Sequence, residues 1–281
     1  MPPPEIQARL DWATRIARQA GELLLASFRT DVAVERKDRG IVTELDRRAE
    51  RLIAGSLAEA FPGDGLVAEE GTGRESTSGY RWAVDPLDGT TNYVAGLPMF
   101  AVSLGCLRDG DEDGDGAAVV GVVHAPAFGE TFAAVRGLGL RGGSPGPGLP
   151  SGPSPSRPSP PSLRPDNLGA AVFIVNKAYH PAPMLWAVAG GLMASVRAFR
   201  TFGCVSLDLA LVAAGRADGL VLLPADPWDV AAGLLLVEEA GFVAGNLAGR
   251  PNPTGRRGIL ATSSSLFAPA AALLDPSPLP G

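Results

Sequence analysis

Apolar residues recur at Ile6, Leu10, Ala13, Ile16, Ala17, Ala20, Leu23, Leu24 and Phe28, with arginines and acids between them. That period predicts an amphipathic helix from Pro4 to about Phe28. A second helix is expected from Glu44 to Ala60, capped by Thr43 and closed by Phe61-Pro62-Gly63. Between them, Val32 to Val42 reads as strand or hairpin through the charged turn Lys37-Asp38-Arg39-Gly40. Leu66-Val67-Ala68, Trp82-Ala83-Val84, Phe100 to Leu107, Val119 to His124 and Glu130 to Val135 read as strands, and Thr72 to Gly79 as a polar loop. In the second half, strands over Ala170–Val175, Val196–Thr201 and Gly219–Leu223 alternate with helices over Met184–Ala194, Val205–Ala214 and Pro227–Ala240. Gly241 stops the last of these helices.

The periodicity fails twice. Asp109 to Gly116 is acidic and Gly-rich like a calcium loop, but it lacks the spaced ligands and terminal glutamate and reads as a solvated hairpin end. Arg141 to Pro165 is dominated by Gly, Pro and Ser, which predicts an exposed, partly disordered loop. The expected organisation is an N-terminal α+β lobe over 1–140, this loop over 141–166, and a C-terminal α/β lobe over 167–281.

Composition narrows the class. A chain of 281 residues with 46% hydrophobic and 19% charged positions can bury a substantial core as one large domain or two lobes. A net charge of −6 argues against a general nucleic-acid binder. The start Met1-Pro2-Pro3-Pro4-Glu5, soon followed by Arg9 and Asp11, does not read as a signal peptide, and no apolar run reaches membrane-spanning length. Cys106 and Cys204 sit among small or apolar residues and read as buried free thiols. With His124 and His180 they do not make a structural zinc site. These features predict a soluble cytoplasmic protein with no membrane and no nucleic-acid partner.

The chemistry enters where apolar segments stop at acids. Val67-Ala68 stops at Glu69-Glu70, Val84 at Asp85, and Leu223 shortly before Asp226 and Asp229. Each acid alone could simply cap a helix or end a strand. Together they read differently, because ligands gather where strand ends meet helix starts in α/β sheets. Carboxylates crowded there repel unless cations neutralise them, and oxygen-only ligands suit Mg²⁺ or Mn²⁺. In Asp85-Pro86-Leu87-Asp88-Gly89-Thr90-Thr91-Asn92, Gly89 permits close backbone approach and Thr90-Thr91-Asn92 suit a helix start with free N–H groups for an anion. Cations beside an anion-binding helix start point to phosphate-ester hydrolysis.

These motifs closely resemble the inositol monophosphatase family of lithium-sensitive, magnesium-dependent phosphatases. The resemblance is carried by Glu69-Glu70, Asp85-Pro86-Leu87-Asp88-Gly89-Thr90-Thr91-Asn92, Trp228-Asp229-Val230-Ala231-Ala232-Gly233 and Glu239-Ala240-Gly241, with Ile41-Val42-Thr43-Glu44-Leu45-Asp46 a weaker match. It spans roughly Ile6 to Leu260. It implies a layered α-β-α-β-α sandwich with mixed sheets, a homodimer, and hydrolysis of a small phosphorylated metabolite, inositol-1-phosphate by default. Glu69, Asp85, the Leu87 carbonyl, Asp88 and Asp229 would be ligands for two or three Mg²⁺ ions, with Mn²⁺ as an alternative. Thr90 and Asp46 would orient and deprotonate a metal-activated water for in-line attack, with Glu70 in support. Gly89 and Thr90 would hold the phosphate through backbone N–H groups, and Asp88, Gly203, Cys204, Val205 and Asp229 would line the substrate pocket.

The chain departs from the family where the alcohol half would bind. Leu222 stands where animal members place a glutamate that grips inositol hydroxyls, and Gly203-Cys204-Val205 stands for the usual Gly-Thr-Ala. That keeps histidinol phosphate, fructose bisphosphate and nucleotide 3′-phosphates open as substrates. Lys177 and His180 follow a strand at a place where the family touches substrate, whereas His124 reads as structural. A regulatory binding protein of the same fold is the competing class.

Overall fold

Pro4 opens the first helix at the position where a missing N–H costs nothing. The computed structural model describes residues 2–108, 118–142, 165–250 and 256–279, so the acidic turn and nearly all of the Pro/Ser-rich stretch lie outside the described residues. Helix α1 (Pro4–Ala26) is followed by a hairpin of β1 (Val34–Arg36) and β2 (Ile41–Thr43) and by helix α2 (Glu44–Ala60). Then come β3 (Gly65–Ala68), β4 (Gly73–Arg74), β5 (Tyr80–Asp88), the short helix α3 (Thr90–Val94), β6 (Ala101–Arg108), β7 (Ala118–Ala125), β8 (Glu130–Val135) and β9 (Leu140–Gly142). These form a seven-stranded sheet in the order β4-β3-β5-β6-β7-β8-β9. Its pairings are antiparallel except that β3 runs parallel to β5. Thr72–Gly79 is therefore not wholly a loop: Gly73 and Arg74 pair with Val67 and Leu66, and the Arg74 guanidinium is anchored on the Asp64 and Phe61 carbonyls.

The second half supplies β10 (Val172–Asn176), α4 (Ala182–Ser195), β11 (Ala198–Arg200), α5 (Val205–Ala213), β12 (Gly219–Leu222), α6 (Pro227–Glu239), β13 (Val243–Gly245), β14 (Ile259–Thr262) and α7 (Ser264–Ala271). Its five-stranded sheet is ordered β11-β10-β12-β14-β13, parallel around β10 and antiparallel around β14. Helices α1 and α2 cover one face of the larger sheet, and α5 and α6 cover the other. Helix α5 also packs on β12 and α6 on β13, while α4 and α7 lie against β10 and β14. The result is five alternating layers, α-β-α-β-α, with mixed sheets.

Each junction between layers carries its own apolar core. Ile16, Leu24, Ile53 and Trp82 fill the outer one, Leu207, Leu209, Leu235 and Leu236 the central one, and Phe173, Val188, Leu192 and Leu260 the last. Burial of such side chains, at roughly 1.5–3 kcal/mol each, is the main force holding the layers together. The central junction is closely apposed at one point. Gly105 of β6 and its cross-strand partner Gly121 of β7 face α6. A Cβ at Gly105 would lie 2.7 Å from Ala231 Cβ, and one at Gly121 would lie 2.7 Å from the Ala232 carbonyl oxygen.

Candidate active site

Strand β5 is buried from Trp82 to Asp88 and ends at the two aspartates. Asp85 and Asp88 are three residues apart, which in a regular strand would send their side chains to opposite faces. Between the pairs Asp85–Ser103 and Asp88–Ala101, however, β5 holds one residue more than β6. This bulge turns both carboxylates toward the same cavity. Gly89 follows with φ +89°, and a Cβ there would meet the Met99 carbonyl at 2.7 Å, so the turn into α3 requires glycine.

The parallel pairing of β3 and β5 brings Glu69 beside Asp85, with the Glu69 N–H donating to the Val84 carbonyl at 3.1 Å. Asp229 arrives from the first turn of α6, where its Oδ2 accepts the Asp226 N–H at 3.1 Å. Ser103 of β6 donates to the Trp228 carbonyl at 3.2 Å and ties that turn to the larger sheet. Glu69, Asp85, Leu87, Asp88, Gly89, Thr90, Gly203, Val205 and Asp229 thus line one cavity of about 570 Å³.

Asp46 lies one layer behind. It sits in the first turn of α2, where Thr43 caps the helix and the Asp46 Oδ2 accepts the Thr43 N–H at 2.8 Å and the Thr43 hydroxyl at 2.5 Å. Its other oxygen is 2.9 Å from Thr90 Oγ1, which is also 3.0 Å from the Leu87 carbonyl oxygen. Thr90 therefore has a carboxylate partner that is fully buried and held from three sides. Burial raises the Asp46 pKa, and the hydrogen bonds from Thr43 and Thr90 oppose the rise.

Electrostatically the cluster is crowded with negative charge. Burial, then repulsion from Glu69, Asp88 and Asp229, pushes Asp85 well above the usual carboxylate range. Asp229 is raised by burial and then by Asp88 and Glu69. Asp88 is raised by burial despite two hydrogen bonds at 2.6 Å from the Ser206 N–H and hydroxyl. Glu69 is pushed up to about 7, chiefly by burial, with Lys37 opposing. Lys37 reaches in from the β1–β2 turn, its Nζ 2.5 Å from Glu70 Oε1 and 3.5 Å from Glu69 Oε1.

Among the described residues, no three ligating side chains are drawn tight enough around one point to enclose an ion. Glu69 is engaged by Lys37 at 3.5 Å and accepts the Tyr179 hydroxyl at 3.2 Å. The donor set nevertheless has a clear preference. Carboxylates and one carbonyl, with neither thiol nor imidazole, suit hard divalent cations, and such ions would relieve the repulsion that raises these pKa values.

Several expected site residues stand elsewhere. Cys204 does not line the cavity: it is fully buried behind Gly89, its thiol 3.4 Å from the Asp88 carbonyl and its pKa raised by burial. Glu70, expected only in support, is off the cavity wall and pairs with Lys37, while its N–H donates to the buried Glu50 at 2.8 Å. His180 is 3.1 Å from the Pro224 carbonyl, whereas Lys177 lines the cavity. His124 is structural, with Nδ1 at 3.0 Å from the Glu130 carbonyl and from the Thr131 hydroxyl. Both cysteines are buried. Among the described residues no helix is long and apolar enough to cross a membrane.

Sequence reasoning missed Ser206, Tyr179 and Glu50. Lys37 was visible as part of a charged turn, but its reach into the cluster depends on the hairpin. Ser206 and Tyr179 carry no local signal, since the first is an ordinary residue of a helix start and the second follows a backbone turn with Ala178 at φ +47°.

The sequence profile of the inositol monophosphatase family matches residues 5–276. A Thermotoga maritima protein named fructose-1,6-bisphosphatase/inositol-1-monophosphatase is 33% identical over 246 residues, 86% of each chain. The Nus factor SuhB of Escherichia coli is 36% identical over 254 residues, again 86% of each. In three dimensions the chain is similar to the extragenic suppressor protein suhB from Bartonella henselae, with a TM-score of 0.82 and 29% identity over 95% of this chain and 98% of that one.

Proposed function

Because the chain belongs to the inositol monophosphatase family, we propose that it hydrolyses a small phosphate monoester with divalent cations, Mg²⁺ first among them, by direct attack of water on phosphorus. The observation that supports this most is the convergence of Glu69, Asp85, Asp88, Asp229 and the Leu87 carbonyl on a cavity that Gly89 and Thr90 also line. These five groups would hold two or three cations. Bound there, the ions would polarise the phosphoryl oxygens, activate water and stabilise the departing alkoxide.

The chain's own groups do the remaining work. Thr90 hands its hydroxyl proton to Asp46, 2.9 Å away, as it accepts one from the attacking water. Burial makes Asp46 a stronger base than an exposed aspartate. Ser206 fixes Asp88, and Asp226 fixes Asp229 through its backbone. The water oxygen bonds to phosphorus, the ester oxygen leaves with the bonding pair, and a proton from solvent completes the alcohol. No side chain forms a covalent intermediate in this scheme.

The decisive experiment is Asp88→Asn assayed on phosphate monoesters in Mg²⁺, alongside wild type in excess chelator. Both should lose turnover, and lithium should inhibit by occupying one cation position. Undiminished turnover in chelator would refute the metal-dependent reading. The name Nus factor carried by the Escherichia coli relative supports a second reading, a regulatory partnership. It predicts a protein that does its work equally well with Asp88→Asn. A homodimer is the assembly we propose, and sedimentation equilibrium tests it.

A further inference from the structure

The cavity continues past the carboxylates, and its character changes. Beyond Asp229 and Thr90 its wall is made by Val175, Leu185, Trp186, Met193, Phe199 and Val205, supplied mainly by β10, α4 and β11. Trp186 is 55% exposed although it is one of the largest apolar side chains in the protein, and it meets Phe199 edge to face with ring centroids 6.0 Å apart. An aromatic pair open to a cavity is a ready surface for an apolar group.

The polar lining residues at this end already have partners. Asn92 donates its amide to the Met99 carbonyl at 2.7 Å and the Phe202 carbonyl at 2.6 Å. Asn176 donates to Asp208 at 2.6 Å and accepts the Ala178 N–H at 2.8 Å. Among the described residues, the remaining polar groups on this part of the lining are few: the Thr91 and Thr201 hydroxyls, the Lys177 ammonium, the Asn92 Oδ1, the Tyr179 hydroxyl and the Trp186 indole N–H. Leu222 is fully buried in the central core and is absent from the cavity wall, so it offers a polyol nothing. A hydroxyl seated against Leu185, Met193 or Phe199 would find no partner on that wall, whereas an apolar group there would gain burial.

Resting on the phosphatase reading above, we propose that the alcohol half of the substrate is apolar and ends in an aromatic or branched aliphatic group seated against Trp186, Leu185 and Phe199. The occupant is the substrate because this wall is continuous with the carboxylate end of the same cavity. Phosphate at one end places the alcohol at the other.

The test is kcat/KM of the Mg²⁺-loaded enzyme on 2-phenylethyl phosphate, glycerol 2-phosphate and myo-inositol 1-phosphate. The phenylethyl ester should lead by about tenfold or more. Trp186→Ala should lower the phenylethyl-to-glycerol ratio by about tenfold, with Trp186→Phe keeping most of it. Equal or better turnover of the polyol esters, or a ratio unmoved by Trp186→Ala, overturns the proposal. If Trp186 is instead covered by a second copy of the chain, Trp186→Ala lowers the sedimenting mass and leaves the ratio unmoved, which also overturns it. If no ester is turned over, the phosphatase reading fails by itself. Calorimetry then still decides the pocket: 2-phenylethylphosphonate binding about tenfold tighter than 2-hydroxyethylphosphonate supports the apolar subsite, and equal binding sinks it.

Discussion

Asp229 reaches the carboxylate cluster because α6 lies against the larger sheet at the distance that Gly105 and Gly121 allow. A Cβ at Gly105 would stand 2.7 Å from Ala231 Cβ and 3.0 Å from the Ala232 nitrogen. To regain a separation of about 3.5 Å, α6 must retreat by roughly 0.8 Å. Asp229 sits in the first turn of that helix, two residues before Ala231, so it moves with it. Overpacking of this kind costs about 1–3 kcal/mol of stability. A displacement near 1 Å in a group that holds the reacting centre costs about 10- to 100-fold in rate. Gly105→Ala should therefore fold, show a lower urea midpoint, and lose about 10- to 100-fold in kcat/KM on any phosphate monoester.

The two glycines respond differently to a second substitution. The closest atom to a Cβ at Gly105 is the Ala231 side chain, whereas a Cβ at Gly121 meets the Ala232 carbonyl oxygen at 2.7 Å and Ala232 Cα at 3.1 Å. Ala231→Gly removes the first obstacle and leaves the second. It should restore much of the activity of Gly105→Ala, less about 1 kcal/mol of helix stability, and do nothing for Gly121→Ala. If Gly105→Ala in a folded state turns over within about twofold of wild type, or Ala231→Gly rescues both variants alike, the placement of Asp229 by this helix–sheet contact is wrong.

Other outcomes follow from single groups. Asp46→Asn should keep the fold, because an amide oxygen can still accept from Thr43, but lower kcat by about 10²- to 10⁴-fold with KM little changed, read from steady-state kinetics. Asp85→Asn removes one buried negative charge from beside Glu69, Asp88 and Asp229. In excess chelator it should raise the unfolding free energy, read from urea denaturation, by on the order of 1 kcal/mol while abolishing turnover in Mg²⁺, and a less stable chelated variant would count against the crowding argument. His124 is held neutral, burial lowering its pKa from 6.5 to about 4. The unfolded chain takes up a proton below pH 6.5 and the folded one does not until about 4, so this stability is present above pH 6.5 and lost as pH falls through that window. The loss is about 3 kcal/mol in full, and the urea midpoint of His124→Gln should fall less steeply from pH 7.5 to 4.5 than that of wild type.

The parts of the fold legible in sequence were those with a long period or strong punctuation. Helix α1 repeats its apolar face for six turns, and α2 has a Thr43 cap and a Phe61-Pro62-Gly63 stop, so both were placed within about two residues of their observed ends. Strands β13 and β14 escaped because Val243–Gly245 and Ile259–Thr262 are too short to show alternation, and all four residues of β14 are buried on both faces. The site divides in the same way. Glu69, Asp85, Asp88 and Asp229 were visible as acids at the ends of apolar segments. That Asp85 and Asp88 share a face was not, because it depends on one extra residue in the pairing of β5 with β6. Tyr179 and Ser206 were invisible, since each reaches the carboxylates across a tertiary contact.

A physical division of labour lies behind that contrast. The reacting end is assembled from backbone events that leave marks in sequence: a strand end, a left-handed glycine, a capped helix turn. The alcohol end is assembled from side chains of α4, β10 and β11 whose apolar character would serve equally well in a core. Periodicity cannot tell Trp186 on a cavity wall from a tryptophan buried between layers; the difference is a neighbour that is missing. The two ends also answer to different constraints. Moving Asp229 or Asp88 by an ångström should cost about 10- to 100-fold in rate, whereas exchanging Leu185, Trp186 or Phe199 should change which alcohol is tolerated and leave the carboxylates where they are. On this reading substrate preference could change without touching the strand ends that carry the reaction, and Leu222, withdrawn into the central core, leaves no side chain of its own on the cavity wall.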